Sequence, residues 1–448
     1  MRWDQGEAKR TIERILSLAG PGEWELELTA RTSSHTRFAR NEISTSGFVE
    51  DVDLSVTSRR EGRSGSVGTN DLSTAGLKAA IARAAEMRDL MPADPEAVEM
   101  LGPQSYPALE KKYDDATARA RAAERASGVK TTLGLAQRKS LTSAGFFENR
   151  VTHRAIGNSK GNFGYHLSTD AEFSVTMRTG DGTGSGWAAG ASPRLDDLDV
   201  KSLARRAADK GIASASPRDV PPGDYTVVLE PAAVVDLLQT LQFGALQARA
   251  ADEGRSVFSK QGGGSRVGEK VVHESVTLRT DPFDPRLPGA PWSVRGGFGG
   301  ESTDGLPNRR IAWIEKGVLK RLYADRYWAG KTGVEATPFP GSLVLEGGTG
   351  SLEGLIAGTD RGLLVTRFFY IRTVNPQTWQ LTGLTRDGLF LIEKGKIVHP
   401  VTNLRFNESP IVMLQNIEAM SVSSPAGRMV VPAIRSREFT FTSKSDAV

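Results

Sequence analysis

Five histidines and no cysteine limit the chemistry open to this chain. Without cysteine there is no disulfide, no thiolate nucleophile and no metal site of the cysteine kind. The histidines, His35, His153, His166, His273 and His399, are too far apart for any two to share one helix face, so no metal site is expected. His273-Glu274 begins like a zinc-peptidase motif, but Thr277 and Leu278 stand where the next ligand should be. The run around it, KVVHESVTLRT, reads as a strand, and His399 in KIVHPV reads as structural too. The glycine-rich run Gly296 to Gly305 superficially matches a phosphate loop, yet no Lys-Ser/Thr follows and no strand-to-helix pattern surrounds it, so a mobile loop is expected. Asp281, Asp284, Glu301 and Asp304 could pair as acid and base; set among Pro and Gly, they read first as turn residues.

The elements around these residues fall into two styles. Asp53 to Gly68 (DLSVTSRREGRSGSVG) is similar to Glu172 to Trp187 (EFSVTMRTGDGTGSGW), with Leu54 and Val56 matching Phe173 and Val175. Each copy alternates apolar and polar residues, which predicts a strand with one buried face, then a Gly/Ser-rich turn. Helical patterns follow each copy, one from Leu72 with Ser73 or Thr74 as cap, the other from Asp196 with Asp196 or Asp197 as cap. Between the copies, Ala108 to Gly128 is rich in Ala, Arg and Glu at helical spacing and predicts a partly exposed helix. Prolines and a glycine in Ser214 to Tyr225 interrupt both periodicities and mark a boundary, giving an N-terminal α+β domain over 1–218 and a second domain over 222–448. The second opens with one long helix, Pro231 to about Asp252, whose Val234, Leu237, Leu238, Leu241 and Ala245 form a buried stripe. Short apolar or alternating segments then predict a mainly antiparallel sheet or barrel, with IEKGVL and IEKGKI as hairpins turning at Lys-Gly.

The chain has 448 residues, enough for two or three domains at roughly 100–200 residues each. Hydrophobic residues make up 38% and charged residues 25%, a globular balance, and no apolar run reaches the roughly 18 residues of a membrane span. Charged residues interrupt Met1 to Leu18, so a signal peptide is not expected and a cytoplasmic location is. A net charge of +4, spread along the chain without a basic block, gives no expectation of nucleic-acid binding.

Val227 to Ser259 (VVLEPAAVVDLLQTLQFGALQARAADEGRSVFS) resembles, without a gap, the active-site segment of TldD-type peptidases. Asp304 to Gly333, Arg361 to Thr378 and Gly388 to Val401 resemble, in order, later segments of the same family, and RFARNEISTSG and GTNDLS resemble its opening strand and turn. By this ordered set the chain is identified as a member of the TldD/PmbA family of peptidase subunits, also called modulators of DNA gyrase.

In that family a helix carries His-Glu-x-x-x-His, and a late Cys completes the zinc site. In this register Gln239 stands at the first His, Thr240 at the Glu and Gly244 at the second His; Ser423 or Ser424 occupies the region of the Cys. An amide and a hydroxyl are poor substitutes for imidazole and thiolate towards zinc. The resemblance implies paired chains, one zinc-bearing and TldD-like with an intact motif, one metal-free and TldE/PmbA-like, enclosing a space where unfolded peptides are cut. This chain fits the second role, with no cofactor of its own and zinc expected in the partner, although its C-terminal segments look more TldD-like than PmbA-like. Arg309, Arg310, Arg367 and Asn375 are the candidate peptide-groove residues; Arg309 and Arg310 also read as surface charges, and Asn375 as a turn residue before Pro376. Two other readings are a metal-independent peptidase acting alone through a Ser or carboxylate site, and a non-proteolytic binding module associated with proteins or DNA topology.

Overall fold

The two similar segments each become a hairpin that hands the chain to a helix. A computed structural model describes residues 3–287, 289–297 and 300–445. The first half contains α1 (Gln5–Ala19), β1 (Glu23–Ala39), β2 (Glu42–Arg60), β3 (Arg63–Thr69), α2 (Thr74–Leu90), α3 (Asp115–Arg119), α4 (Ala122–Arg138), β4 (Leu141–Asn158), β5 (Phe163–Thr179), β6 (Ser185–Ser192) and α5 (Val200–Ala213). Its strands form one antiparallel sheet in the order β3-β2-β1-β4-β5-β6. The repeat is therefore a helix, three strands and a second helix, and the copies meet where β1 pairs with β4.

Leu54, Val56, Phe173 and Val175 are all buried under the helices, as the alternation predicts. Each such side chain contributes roughly 1.5–3 kcal/mol by leaving water. Helix and hairpin approach most closely at glycine. A Cβ on Gly65 would lie 2.4 Å from the Ala84 carbonyl of α2, and one on Gly184, at the same place in the second copy, 2.3 Å from the Gly211 carbonyl of α5. Ser73 caps α2. The cap of α5 is Asp199 rather than Asp196 or Asp197, because those two lie in a 3-10 turn and Asp199 is the residue whose carboxylate reaches the Ser202 amide. The helix expected over 108–128 is divided: α3 ends at Arg119 and α4 starts at Ala122.

The second half contains β7 (Gly223–Leu229), α6 (Pro231–Phe243), α7 (Ala248–Asp252), β8 (Leu278–Thr280), β9 (Arg295–Gly297), β10 (Gly300–Ser302), β11 (Ile311–Glu315), β12 (Val318–Leu319), α8 (Arg326–Thr332), β13 (Leu343–Leu345), α9 (Leu352–Ala357), β14 (Arg361–Asn375), β15 (Gln380–Glu393), β16 (Lys396–Pro400), β17 (Leu404–Glu408), α10 (Pro410–Gln415), β18 (Ile417–Met420), β19 (Ser424–Ala426), β20 (Met429–Val431) and β21 (Ile434–Lys444). The order β14-β7-β21-β17-β15 closes on itself through β14–β15, making a five-stranded barrel. A second sheet runs β12-β11-β8-β13-β20-β19. Both Lys-Gly turns form as expected, Lys316-Gly317 between β11 and β12 and Lys394-Gly395 between β15 and β16, each with both residues at positive φ.

The long helix expected to reach Asp252 is instead broken after Phe243. The Leu246 amide returns to the Leu241 carbonyl and Ala248 bonds to Tyr323, so helical pairing stops at Gly244 and restarts as α7. Phe298 and Gly299 of the glycine-rich run lie outside the described residues; residues flanking them pair as the β9–β10 ribbon. Among the described residues no helix is long and apolar enough to cross a membrane.

Several buried polar contacts join the halves. Lys210 of α5 meets the carboxylate of Glu230, at the start of α6, at 2.5 Å. Ser185 of β6 donates to Asp387 of β15 at 2.6 Å, and Arg367 of β14 holds the other oxygen of that carboxylate at 2.7 Å while lying over the Trp187 ring of β6. Lys112 is fully buried between the Leu287 and Asp284 carbonyls.

Candidate functional site

Helix α6 begins with Pro231, whose missing amide costs nothing in a first turn and whose ring is preset for helical φ. One stripe of the helix, Ala233, Val234, Leu237, Leu238 and Leu241, is buried in the core of the second half. The opposite stripe, Val235, Asp236, Gln239, Gln242 and Phe243, lines a cavity of about 530 Å³. The facing wall is the helix-free side of the first-half sheet. There Arg31 of β1 lies opposite Thr152 of β4, Arg150 opposite Asp170 of β5, and Arg154 opposite His166. A side-chain period of two puts Arg150, Thr152 and Arg154 on one face of β4, away from the apolar residues under the helices. Trp187, Trp292, Asn308 and Arg428 lie on its remaining walls.

Burial sets the protonation of the two carboxyls in this cavity. Asp236 is pushed up to about 7 by burial, against the opposing pull of the Phe368 amide, which donates at 2.8 Å, and of Arg367. Burial pushes Asp170 up to about 6, although Arg150 and Arg428 lower it. His166, buried and bonded to the Gly289 carbonyl at 3.0 Å, is held down to about 4 by burial and stays neutral. Lys112 is drawn down to about 8, again by burial. The cavity therefore combines two carboxyls near neutrality with guanidinium groups and primary amides.

Of Gln239, Thr240 and Gly244, which the sequence resemblance sets at the motif positions, only Gln239 lines the cavity. Thr240 donates to the Leu237 carbonyl at 2.7 Å and accepts the Trp379 indole N–H at 3.0 Å. Gly244 faces the same indole: a Cβ there would come within 1.7 Å of Trp379 Cη2. Ser423 is committed to the Leu345 carbonyl at 2.7 Å, and Ser424 opens β19. This donor set does not fit zinc, because the space beside Gly244 holds an indole and the hydroxyls of Thr240 and Ser423 are already bonded. Among the described residues no three His, Cys, Asp or Glu side chains gather as a metal-holding group.

The other singled-out residues are dispersed. Arg309 pairs with Glu335 at 2.5 Å, and Arg310 pairs with Asp281 at 3.1 Å and lies over Phe283. Arg367 sits in the Asp387–Trp187 contact between the halves, and Asn375 caps its own turn by accepting from the Gln377 amide at 2.9 Å. None of these four lines the cavity. Asp281 and Asp284 act as turn acceptors with arginine partners, as their context predicts, and Asp304 accepts from the Leu306 amide. His273 departs from expectation: it lies in a turn before β8, because its amide bonds to Leu414 and its ring to Ser275, leaving only Leu278–Thr280 as strand.

Domain profiles of one family match this chain in order: the PmbA/TldA metallopeptidase domain 1 over residues 24–88, the central domain over 106–215 and the C-terminal domain over 222–443. The chain belongs to this family. Solved structures share the fold over 97–98% of the chain. TldE from Thermococcus kodakarensis superposes with a TM-score of 0.83 at 21% identity, covering 97% of this chain and 99% of its own. A provisionally assigned modulator of DNA gyrase from Bacteroides thetaiotaomicron gives 0.84 at 22%, covering 98% and 99%. A similarly assigned protein from Thermotoga maritima gives 0.83 at 18%, covering 97% and 100%. No curated protein matches the chain.

Sequence reasoning missed the cationic sheet face, Asp236 and Trp379. The first had a signal in the alternation Arg150, Thr152, Arg154. The second had one in a lone acid within PAAVVDLLQTLQF. For Trp379 there was none, since it lies 135 residues from Gly244 and only folding brings them together.

Proposed function

We propose that this chain is the TldE/PmbA-like, non-catalytic subunit of a paired zinc peptidase that processes unfolded peptides in the cytoplasm. A TldD-like partner with an intact His-Glu-x-x-x-His supplies the metal and the hydrolytic water. The carrying observation is the packing of Trp379 against Gly244 and Thr240, which fills the motif face with apolar and already bonded groups. In this reading the chain is an N-terminal unit over 1–218 and a C-terminal unit over 222–448, with Arg309, Arg310, Arg367 and Asn375 as candidate contacts to peptide backbone. Co-expression with a family member that retains the motif tests it. The two chains are expected to co-purify, with zinc and peptide hydrolysis appearing only when the partner is present. Stoichiometric zinc together with hydrolysis in this chain purified by itself sinks the proposal.

One observation favours a second reading, peptide hydrolysis by this chain without metal: Asp236 and Asp170 line one cavity and both are raised towards neutrality, as general acids and bases are. Chelator-resistant hydrolysis by the isolated chain, lost in Asp236→Asn, is its signature.

A further inference from the structure

The cavity wall carries more positive charge than the neighbouring carboxylates answer. Arg31, Arg150 and Arg154 project from adjacent strands, and Arg428 enters from the turn between β19 and β20; the lining carboxyls are Asp170 and Asp236. Arg150 is engaged by Glu148 and Asp170, and Arg154 is also engaged. The Nε of Arg31, by contrast, is buried with no acceptor among the described residues. On another wall, Asn308 spends its amide hydrogens on the Ala290 and Trp292 carbonyls at 2.8 and 2.7 Å, and its Oδ1 is buried without a donor. One cavity is thus lined by Arg31, by Arg428 and by the aromatic walls of Trp187, Trp292 and Phe243, and no carboxylate pairs with Arg31 among the described residues.

We infer that this cavity captures a peptide by its carboxyl terminus. The terminal carboxylate is answered by Arg31 and Arg428, and an apolar last side chain by the aromatic walls. A guanidinium gives a carboxylate short, charge-assisted hydrogen bonds, and a volume of about 530 Å³ lies in the range of small-ligand pockets. The inference rests on the reading of the chain as a peptide-handling subunit, and it adds an anchor for the peptide's end in the cavity between the halves.

Calorimetric titration of the full-length chain with acetyl-Ala-Ala-Phe as free acid, as its carboxyl-terminal amide, and with inorganic phosphate tests it. Quenching of Trp187 and Trp292 fluorescence gives a second readout. The free acid is expected to bind at least about tenfold more tightly than the amide. Arg31→Gln, and separately Arg428→Gln in its exposed turn, are expected to remove that preference while thermal unfolding stays unchanged. Equal binding of acid and amide, or no binding of either, overturns the inference. Phosphate binding as tightly as the acid overturns it too, since that marks a simple anion site. None of these results bears on co-purification with a zinc-bearing partner, so the two proposals fail separately.

Discussion

At position 244 only hydrogen fits, and the reason is the indole of Trp379. Gly244→Ala is expected to destabilise the fold by about 1–3 kcal/mol in urea unfolding, the usual cost of overpacking. In a Trp379→Ala background that cost should fall towards zero; a cycle showing no coupling between the two positions would contradict the packing described. Restoring the motif with Gln239→His, Thr240→Glu and Gly244→His is expected to leave the chain without bound zinc by elemental analysis as long as Trp379 remains. Asp236 makes a pH prediction. Its folded pKa, about 7, lies above the roughly 3.9 of an unfolded Asp, so the folded state holds the proton more tightly. The stability this contributes is complete below about pH 4 and is lost as pH rises through 7. Because the side chain faces a cavity rather than packed protein, the loss is discounted to about 1–2 kcal/mol. Asp236→Asn should flatten that fall between pH 4 and 8 in chemical unfolding. Asp170 works in the same direction up to about pH 6, and neutral His166 in the opposite one, so only the difference from wild type isolates Asp236.

Helix α6 is positioned by its ends. Glu230 precedes Pro231, and its carboxylate, close to the positive end of the helix, is answered by Lys210 from α5. Both side chains are nearly buried, at 14% and 9% exposure. Lys210→Met should therefore cost about 3–5 kcal/mol, because it strands a buried carboxylate, whereas Lys210→Met with Glu230→Leu should recover most of that loss. Denaturant unfolding of the three variants measures it. The elements of the first half were legible in sequence because each strand has one dry face, which forces a period of two, and each helix begins at a cap. The division of α6 from α7 was not legible: the apolar stripe runs on through Ala245 and Leu246, and the break is imposed by the Trp379 ring and the Tyr323 carbonyl.

For the whole molecule, the junction of the two halves decides what the cavity can be. Asp387 takes Ser185 from one half and Arg367 from the other, with Trp187 beneath that guanidinium. Asp387→Ala is expected to cost about 2–3 kcal/mol and to separate the unfolding of the two halves into distinct thermal transitions, since charged hydrogen bonds at a junction couple what they join. A single transition at the wild-type midpoint would show that the coupling lies elsewhere.

Residue types and their order were enough to establish the family and the α+β class, because ordered motifs and periodicities are written in the chain itself. Alternation and capping are likewise local, so strands and helices could be read from neighbours a few positions apart. The cavity is different in kind: it needs the exposed face of one sheet, one stripe of α6 and a turn near the C-terminus to meet across the junction. Which cations face it, and which ring stands beside Gly244, depend on contacts between residues more than a hundred positions apart, and only the tertiary structure decides them.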